Sequence, residues 1–307
     1  LAKEVRYLKE TEGGRSQMCR AFEEVARESA RDAEYQKAVR AAKKMLALGQ
    51  LNLETIAECT ELSLDEVKAL ADKKFEVWYQ PKFNSHTGKI VGSEALIRWR
   101  ADDGSLISPG RFIPLFEKNG NIIRLDEYVF REVCRQQKEW QKEGIQILPV
   151  SVNISRFSLY YSNVVEKYER IINYYDVDHK YVQIEITESA IIENTVIVEL
   201  IQKFHDAGFD ILLDDFGSGY SSLASLNQMP FDTIKLDKSL VDYVGNENGE
   251  KLLKFIVQLV QSLGMKITAE GVEYKEQLDF LENLNCDDIQ GFYFSKPLML
   301  ADFSAKL

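Results

Sequence analysis

Two adjacent aspartates, Asp214 and Asp215, close the apolar run Phe209-Asp210-Ile211-Leu212-Leu213 and lead into Phe216-Gly217-Ser218-Gly219-Tyr220. A largely aliphatic run reads as a buried strand. Two carboxylates at its end are costly beside an apolar core unless something positive compensates them. The Gly-Ser-Gly that follows gives a mobile, backbone-rich loop next to those charges. A metal site at a strand end is the simplest explanation. Polar residues also stand within or at the ends of other short apolar runs: Glu94, Arg98, Asn153, Glu185, Lys235, Glu270 and Gln290. The five carboxylates and the Asn153 carboxamide make a hard-oxygen donor set suited to Mg²⁺ or Mn²⁺. Without a cation, clustered carboxylates repel one another and raise their own pKa values. Adjacent aspartates can bind two cations, one Asp bridging, which suits phosphodiester hydrolysis: one ion stabilises the attacking oxygen and the other the leaving group. Zinc is disfavoured, because His86, His179 and His205 sit in no ligand pattern and the four cysteines lack CxxC spacing.

The elements that must position these residues are legible from residue 75 onward. Apolar or alternating runs recur as FEVWYQPKF (75–83), VGSEALIRW (91–99), LPVSVNIS (148–155), VQIEITE (182–188), DILLDDFG (210–217), TIKLD (233–237), KITAEGV (266–272) and DIQGFYF (288–294). Eight strands, most of them alternating with amphipathic helical patterns, predict a TIM-like (β/α)8 barrel over 75–307. A doubly wound open sheet would show a Gly-rich fingerprint after its first strand, and none is present. Strand side chains alternate in direction. With Val150, Val152 and Ile154 facing the helices, Ser151 and Asn153 face inward; the same logic turns Glu185 and Lys235 into the barrel mouth. Polar residues near the C-terminal ends of barrel strands read as catalytic.

Residues 1–74 differ in character. They hold 14 basic and 14 acidic residues, so the remaining 24 basic and 35 acidic residues carry the whole net charge of −11. An acidic domain is a poor general binder of nucleic-acid backbone, and any phosphate it handles needs metal ions for local screening. A long helical pattern over 16–48 is followed by short helices near 53–59 and 64–71, the second opened by the capping-box pattern Ser63-Leu64-Asp65-Glu66. The segment is expected to be a helical spacer or dimerisation element. Its helix-turn-helix-like spacing does not favour nucleic-acid binding, because the would-be recognition helix carries three acids and one lysine. The segment also faintly resembles the helical tails of Rpn-type nuclease/transposase proteins. No apolar stretch approaches the roughly 20 residues of a membrane span, no signal-peptide core is visible, and the scattered cysteines read as reduced thiols. A cytoplasmic location is expected.

Each site residue has a bland reading. Glu94 and Arg98 four apart, or Lys235 and Asp237, make a simple ion pair; Asn153 serves a turn; Glu185 and Glu188 belong to a solvated strand end. The aromatics Tyr160, Tyr161 and Phe292-Tyr293-Phe294 read as core or surface. Against these stands the conjunction: independent accidents do not keep selecting the same end of strand after strand.

Glu94-Ala95-Leu96, followed by Ile97-Arg98-Trp99, resembles the signature of the EAL family of cyclic-di-GMP phosphodiesterases. Tyr79-Gln80-Pro81, Val152-Asn153-Ile154-Ser155, Glu185-Ile186-Thr187-Glu188, DDFGSGYSSL (214–223), Ile234-Lys235-Leu236-Asp237, Ala269-Glu270-Gly271-Val272-Glu273 and Gln290-Gly291-Phe292 resemble that family's motifs, in its order. The resemblance implies two Mg²⁺ or Mn²⁺ ions per site, with Ca²⁺ inhibitory. Glu94, Asn153, Glu185 and Asp214 would hold the first; Asp214 and Asp215 would hold the second, with Glu270 supporting that ion or its water. Lys235 is implied to position or activate the attacking water, and a lysine enclosed among cations would have a lowered pKa. Arg98 suits a phosphate oxygen by its planar donor fork, and Gln80, Gln290 and Pro297 are implied to contact substrate or water. Glu188 is implied to anchor the loop 216–226, including Phe216, Gly217, Ser218 and Gly219, which in this family couples homodimerisation through the barrel to activity. The expected function is hydrolysis of cyclic-di-GMP to pGpG. A catalytically silent cyclic-di-GMP receptor is the alternative, and an enolase-type barrel, with Lys235 as its one candidate base, ranks last.

Overall fold

The computed structural model describes residues 74–307 except 102, 162, 193–196 and 219–229, together with 53–61 and five positions between 37 and 45. The chain divides into two compact units, Leu1–Phe75 and Glu76–Leu307. In the first, helix α1 (Leu53–Thr60) lies where a short helix is expected. The helical pattern over 16–48, described only at scattered positions, and the capping box at Ser63 lie outside the described residues. Among the described residues no helix is long and apolar enough to cross a membrane.

The strands of the second unit form a closed barrel. In chain order they are β1 (Phe75–Asn84), β2 (Ile90–Arg100), the short β3 (Leu106–Ile107), β4 (Val150–Asn153), β5 (Val182–Thr187), β6 (Ile211–Phe216), β7 (Thr233–Leu236), β8 (Lys266–Ala269) and β9 (Asp288–Ile289). Neighbours follow the order β1-β9-β8-β7-β6-β5-β4-β2, and a β1–β2 pairing closes the ring, with β3 added at the edge of β2. From β4 through β9 the pairings are parallel, but β1 runs antiparallel to β9. The TIM-like (β/α)8 expectation holds, with that one strand reversed. Strand alternation explains the layering. Val150, Val152, Ile184, Ile186, Ile234, Leu236 and Ile267 are all buried on the face toward the helices, each worth roughly 1.5–3 kcal/mol of burial. The opposite face turns Ser151, Asn153, Glu185 and Lys235 into the barrel.

Helix α3 (Ile122–Lys142, after α2 at Pro109–Asn119) shows how the outer layer sets the inner one. Its stripe of Leu125, Val129, Phe130, Val133 and Trp140 is buried. From the same helix Gln137 Nε2 donates to the carbonyls of Leu148 and Tyr181, both at 2.8 Å, fixing the approaches to β4 and β5. Asp126 Oδ2 accepts from the Ser155 amide at 2.9 Å and the Ser158 hydroxyl at 2.7 Å, fixing the loop that leaves Asn153. Burial pushes the Asp126 carboxyl up to about 6 even against those two donors.

One strand is much shorter than its apolar run predicts. The segment expected over 288–294 leaves the sheet after Ile289, because Gly291 crosses the end of β8 so closely that a Cβ there would overlap the backbone of Val272. The crossing is held by Gln290 N–H to the Ala269 carbonyl (2.8 Å) and Tyr293 N–H to the Val272 carbonyl (2.9 Å). Backbone cannot yield as a flexible side chain does. Gly291→Ala is therefore expected to cost roughly 3 kcal/mol or more, read as a lowered midpoint in thermal or urea denaturation.

Candidate metal centre

Lys235 on β7 stands at the centre of the barrel mouth and is 1% exposed. Its Nζ lies 2.8 Å from Asp214 Oδ1, 2.8 Å from Glu270 Oε1, 2.9 Å from Glu185 Oε2 and 3.4 Å from Glu94 Oε2. Glu94 is oriented by two amides: Asn153 Nδ2 donates to Oε1 at 2.8 Å and Gln290 Nε2 to Oε2 at 2.6 Å. With its nitrogen engaged, the Asn153 carboxamide has its oxygen to offer a cation. Two carboxylate triads result, Glu94–Glu185–Asp214 and Asp214–Asp215–Glu270, each with ligand atoms within 4.8 Å of one another. Asp214 belongs to both. An all-oxygen donor set of this kind fits hard divalent cations.

A local irregularity brings the second triad together. In a regular strand Asp214 and Asp215 would point to opposite faces. The β6–β7 register shifts between Leu213 and Phe216, and Asp215 adopts a left-handed φ of 57°. A bulge of this kind re-aims a side chain, so both aspartates serve one site. Left-handed backbone is a strained conformation for a residue other than glycine, and such strain concentrates at functional sites.

The electrostatics follow from burial and from these contacts. Burial raises the Asp214, Asp215 and Glu94 carboxyls, and pushes Glu270 up to about 8. Glu185 is the exception: burial would raise it, but Lys235 and Lys82 outweigh burial and hold it down at about 2. The expectation of a lowered pKa at Lys235 belongs to a lysine enclosed among cations; among the protein's own groups alone the direction is the opposite. Burial lowers it, but Asp214, Glu185, Glu270 and Glu94 together drive it well above the ordinary lysine value. The protein's own groups around the ammonium are anions, and they keep it charged.

These residues border a cleft of about 340 Å³ lined by Gln80, Glu94, Asp214, Asp215, Lys235, Glu270 and Gln290, with Asp237 and Phe292 at its wall. A scan against family models matches residues 65–297 to the EAL domain. The chain belongs to the EAL domain family. Among similar proteins are the cyclic di-GMP phosphodiesterase NbdA of Pseudomonas aeruginosa (35% identical over 78% of this chain and 31% of that one) and the oxygen sensor protein DosP of Escherichia coli (37% identical over 75% of this chain and 29% of that one). The chain thus spans about a third of the length of the curated relatives it matches. Among solved structures, a c-di-GMP complex of PaMucR phosphodiesterase superimposes with a TM-score of 0.73 at 32% identity, over 78% of this chain and 98% of that one.

In this EAL domain the sequence-derived residues gather unevenly. Asn153 and Glu185 reach the centre through Glu94 and Lys235 rather than by lining the cleft. Arg98 lies outside the lining: Nη1 donates to its neighbour Ile97's carbonyl at 2.9 Å, and the guanidinium sits 5.8 Å from the Trp78 ring centroid. Pro297 is also outside it, next to Leu298, whose backbone bridges to Tyr79. The simple pairings fare differently. Asp237 caps the helix after β7, accepting from Ser239 N–H at 3.0 Å, while Lys235 turns to the four acids. Phe292 is 55% exposed at the cleft wall, and Tyr160 and Tyr161 are surface residues. Glu188 is 3% exposed, and its Oε2 accepts from the Gly217 amide at 2.9 Å, tying the helix that follows β5 to the end of β6. Phe216 is buried and Ser218 is exposed; Gly219 and the rest of the loop to 226 lie outside the described residues. One buried contributor, Lys82, went unnoticed in the sequence, and Ser151, expected to face inward, had no partner assigned. Their signal was alternation: Lys82 stands two residues from Gln80, and Ser151 two from Asn153.

Proposed function

We propose that this chain is a metal-dependent phosphodiesterase that opens cyclic-di-GMP to linear pGpG. The observation that carries the reading is the pair of carboxylate triads sharing Asp214 beside a buried, charged Lys235. Glu94, Asn153, Glu185 and Asp214 would hold one divalent ion, and Asp214, Asp215 and Glu270 the other. When bound, such ions polarise a phosphodiester and lower the pKa of water. Around them the chain's own groups orient and exclude. Asn153 and Gln290 fix the Glu94 carboxylate. Lys235, whose Nζ lies between the two triads, would direct that nitrogen at the attacking oxygen and so position or activate it; a preorganised donor of this kind is worth several kcal/mol in a water-poor site. Gln80 and Gln290 line the cleft where a substrate oxygen would sit.

The reading includes Mg²⁺ or Mn²⁺ as activator, inhibition by Ca²⁺, a homodimer formed through the barrel, and action in the cytoplasm. It is tested by chromatographic product analysis of purified protein with cyclic-di-GMP and Mg²⁺. Accumulation of pGpG is expected. Glu94→Ala removes a ligand and the group that Asn153 and Gln290 orient, so turnover should fall at least about a hundredfold. Binding of cyclic-di-GMP without turnover would replace the enzyme by the receptor reading. Light scattering reads the dimer.

A further inference from the structure

Lys82 is a second lysine buried in the barrel, 4% exposed, on the reversed strand β1. Because β1 runs against its neighbour β9, a residue two positions past Gln80 on the same face lies one layer deeper than the cleft. There Lys82 Nζ donates to Ser151 Oγ at 2.8 Å and to Glu185 Oε1 at 3.0 Å. Lys235 takes the other oxygen, Oε2, at 2.9 Å. The two oxygens of Glu185 are therefore divided between the barrel interior and the mouth.

An ammonium below a cation site repels any divalent ion, so Lys82 does not serve simply to tighten metal binding. Its charge acts equally on Mg²⁺, Mn²⁺ and Ca²⁺. What separates these ions is ligand geometry: Ca²⁺ takes six to eight oxygens and readily uses both oxygens of a carboxylate, whereas Mg²⁺ demands a small, near-octahedral set. We propose that Lys82, seated on Ser151, ties down Glu185 Oε1, restricts Glu185 to a single ligand oxygen, and so makes the centre select small octahedral divalent ions over Ca²⁺. Lys82 is in this sense a positioning residue that acts through Glu185. The inference rests on the proposed role of Glu185 as a metal ligand.

The test is calorimetric titration of the metal-free full chain with Mn²⁺ and, separately, with Ca²⁺, in the absence of nucleotide. The quantity read is the ratio of the two affinities, from which the shared charge effect cancels. Lys82→Met is expected to shift that ratio toward Ca²⁺ by about tenfold, the scale on which groups holding metal ligands act. Lys82→Arg keeps a donor on Oε1 and should leave the ratio near that of the unaltered chain. Ser151→Ala, which loosens Lys82 without removing it, should shift the ratio in the same direction by less. An unchanged ratio in folded Lys82→Met overturns the inference; should that variant fail to fold by circular dichroism, an unchanged ratio in Ser151→Ala overturns it instead. An unaltered chain that binds no Mn²⁺ overturns both this inference and the metal-dependent reading. Unaltered Mn²⁺ binding and turnover with unchanged ratios in the variants overturn this inference alone.

Discussion

Replacing Lys235 by alanine is expected to lower turnover of cyclic-di-GMP by about a hundred- to a thousandfold and to destabilise the metal-free protein at the same time. Both effects come from one geometry. Lys235 Nζ meets Asp214, Glu270, Glu185 and Glu94 within 3.4 Å, and all four carboxylates are largely buried. Removing the cation leaves them facing one another, and breaking a buried charge network in this way costs about 3–5 kcal/mol. A bound divalent ion supplies the missing charge, so saturating Mn²⁺ should restore most of the lost thermal stability. It should not restore turnover, because a donor fixed at the position of Nζ is still absent, and donors of that kind contribute about 10²–10³ in rate. Thermal melts with and without Mn²⁺, paired with product assays, read the two effects separately. Full activity at saturating Mn²⁺ would show that Lys235 serves only as counter-charge. Lys235→Arg is a sharper control: its flat guanidinium keeps the charge but cannot direct donors at four oxygens spread around one point.

How much of this was legible in the sequence depended on whether local pattern or global closure decided each feature. The inward placement of Asn153, Glu185 and Lys235 followed from simple alternation, since each strand is buried on the helix side and a one-residue slip would expose its whole apolar set. The pairing of Asp214 with Asp215 did not follow from alternation, which sends neighbours apart; it needed a bulge and a left-handed Asp215. The run after Ile289 looked like a strand because it is aromatic and apolar. What ends the strand is Gly291 crossing against Val272, a contact between residues far apart in the chain that no local window contains. Lys82 was hidden for a similar reason: its depth depends on β1 running antiparallel, and strand direction is a property of the closed barrel. The direction at Lys235 depends on which neighbours are present. A lysine imagined among metal ions has a lowered pKa, while the same lysine among four carboxylates has a raised one.

Asp214→Asn is expected to abolish binding of both metal ions and to reduce turnover by about a thousandfold, with the fold intact. Asp214 is the one residue shared by the two triads, whereas Asp215 and Glu270 belong only to the second. The side chain keeps its shape, and only one oxygen and the charge are lost. Mn²⁺ titration of the metal-free chain should therefore read two ions for the unaltered protein, one for Asp215→Asn or Glu270→Gln, and none for Asp214→Asn at concentrations that saturate the others. Loss of ligands on this scale removes about 10³ or more in rate, since metal polarisation contributes several kcal/mol to phosphodiester chemistry. The effect on stability should run opposite to that of Lys235→Ala. Burial, and the neighbouring Glu185, hold the Asp214 carboxyl above its ordinary value even against Lys235. A carboxyl whose folded pKa exceeds its unfolded one stabilises the fold fully below the unfolded value and loses that contribution as pH rises through the folded value. At neutral pH its ionised form is therefore a burden on the metal-free protein, and the neutral amide relieves it. The melting midpoint of metal-free Asp214→Asn should equal or exceed that of the unaltered chain near pH 7, and the difference should vanish on acidification. Added Mn²⁺ should raise the midpoint of the unaltered chain and leave the variant where it was. A variant that still binds one ion would mean that the two triads do not depend on Asp214 in common.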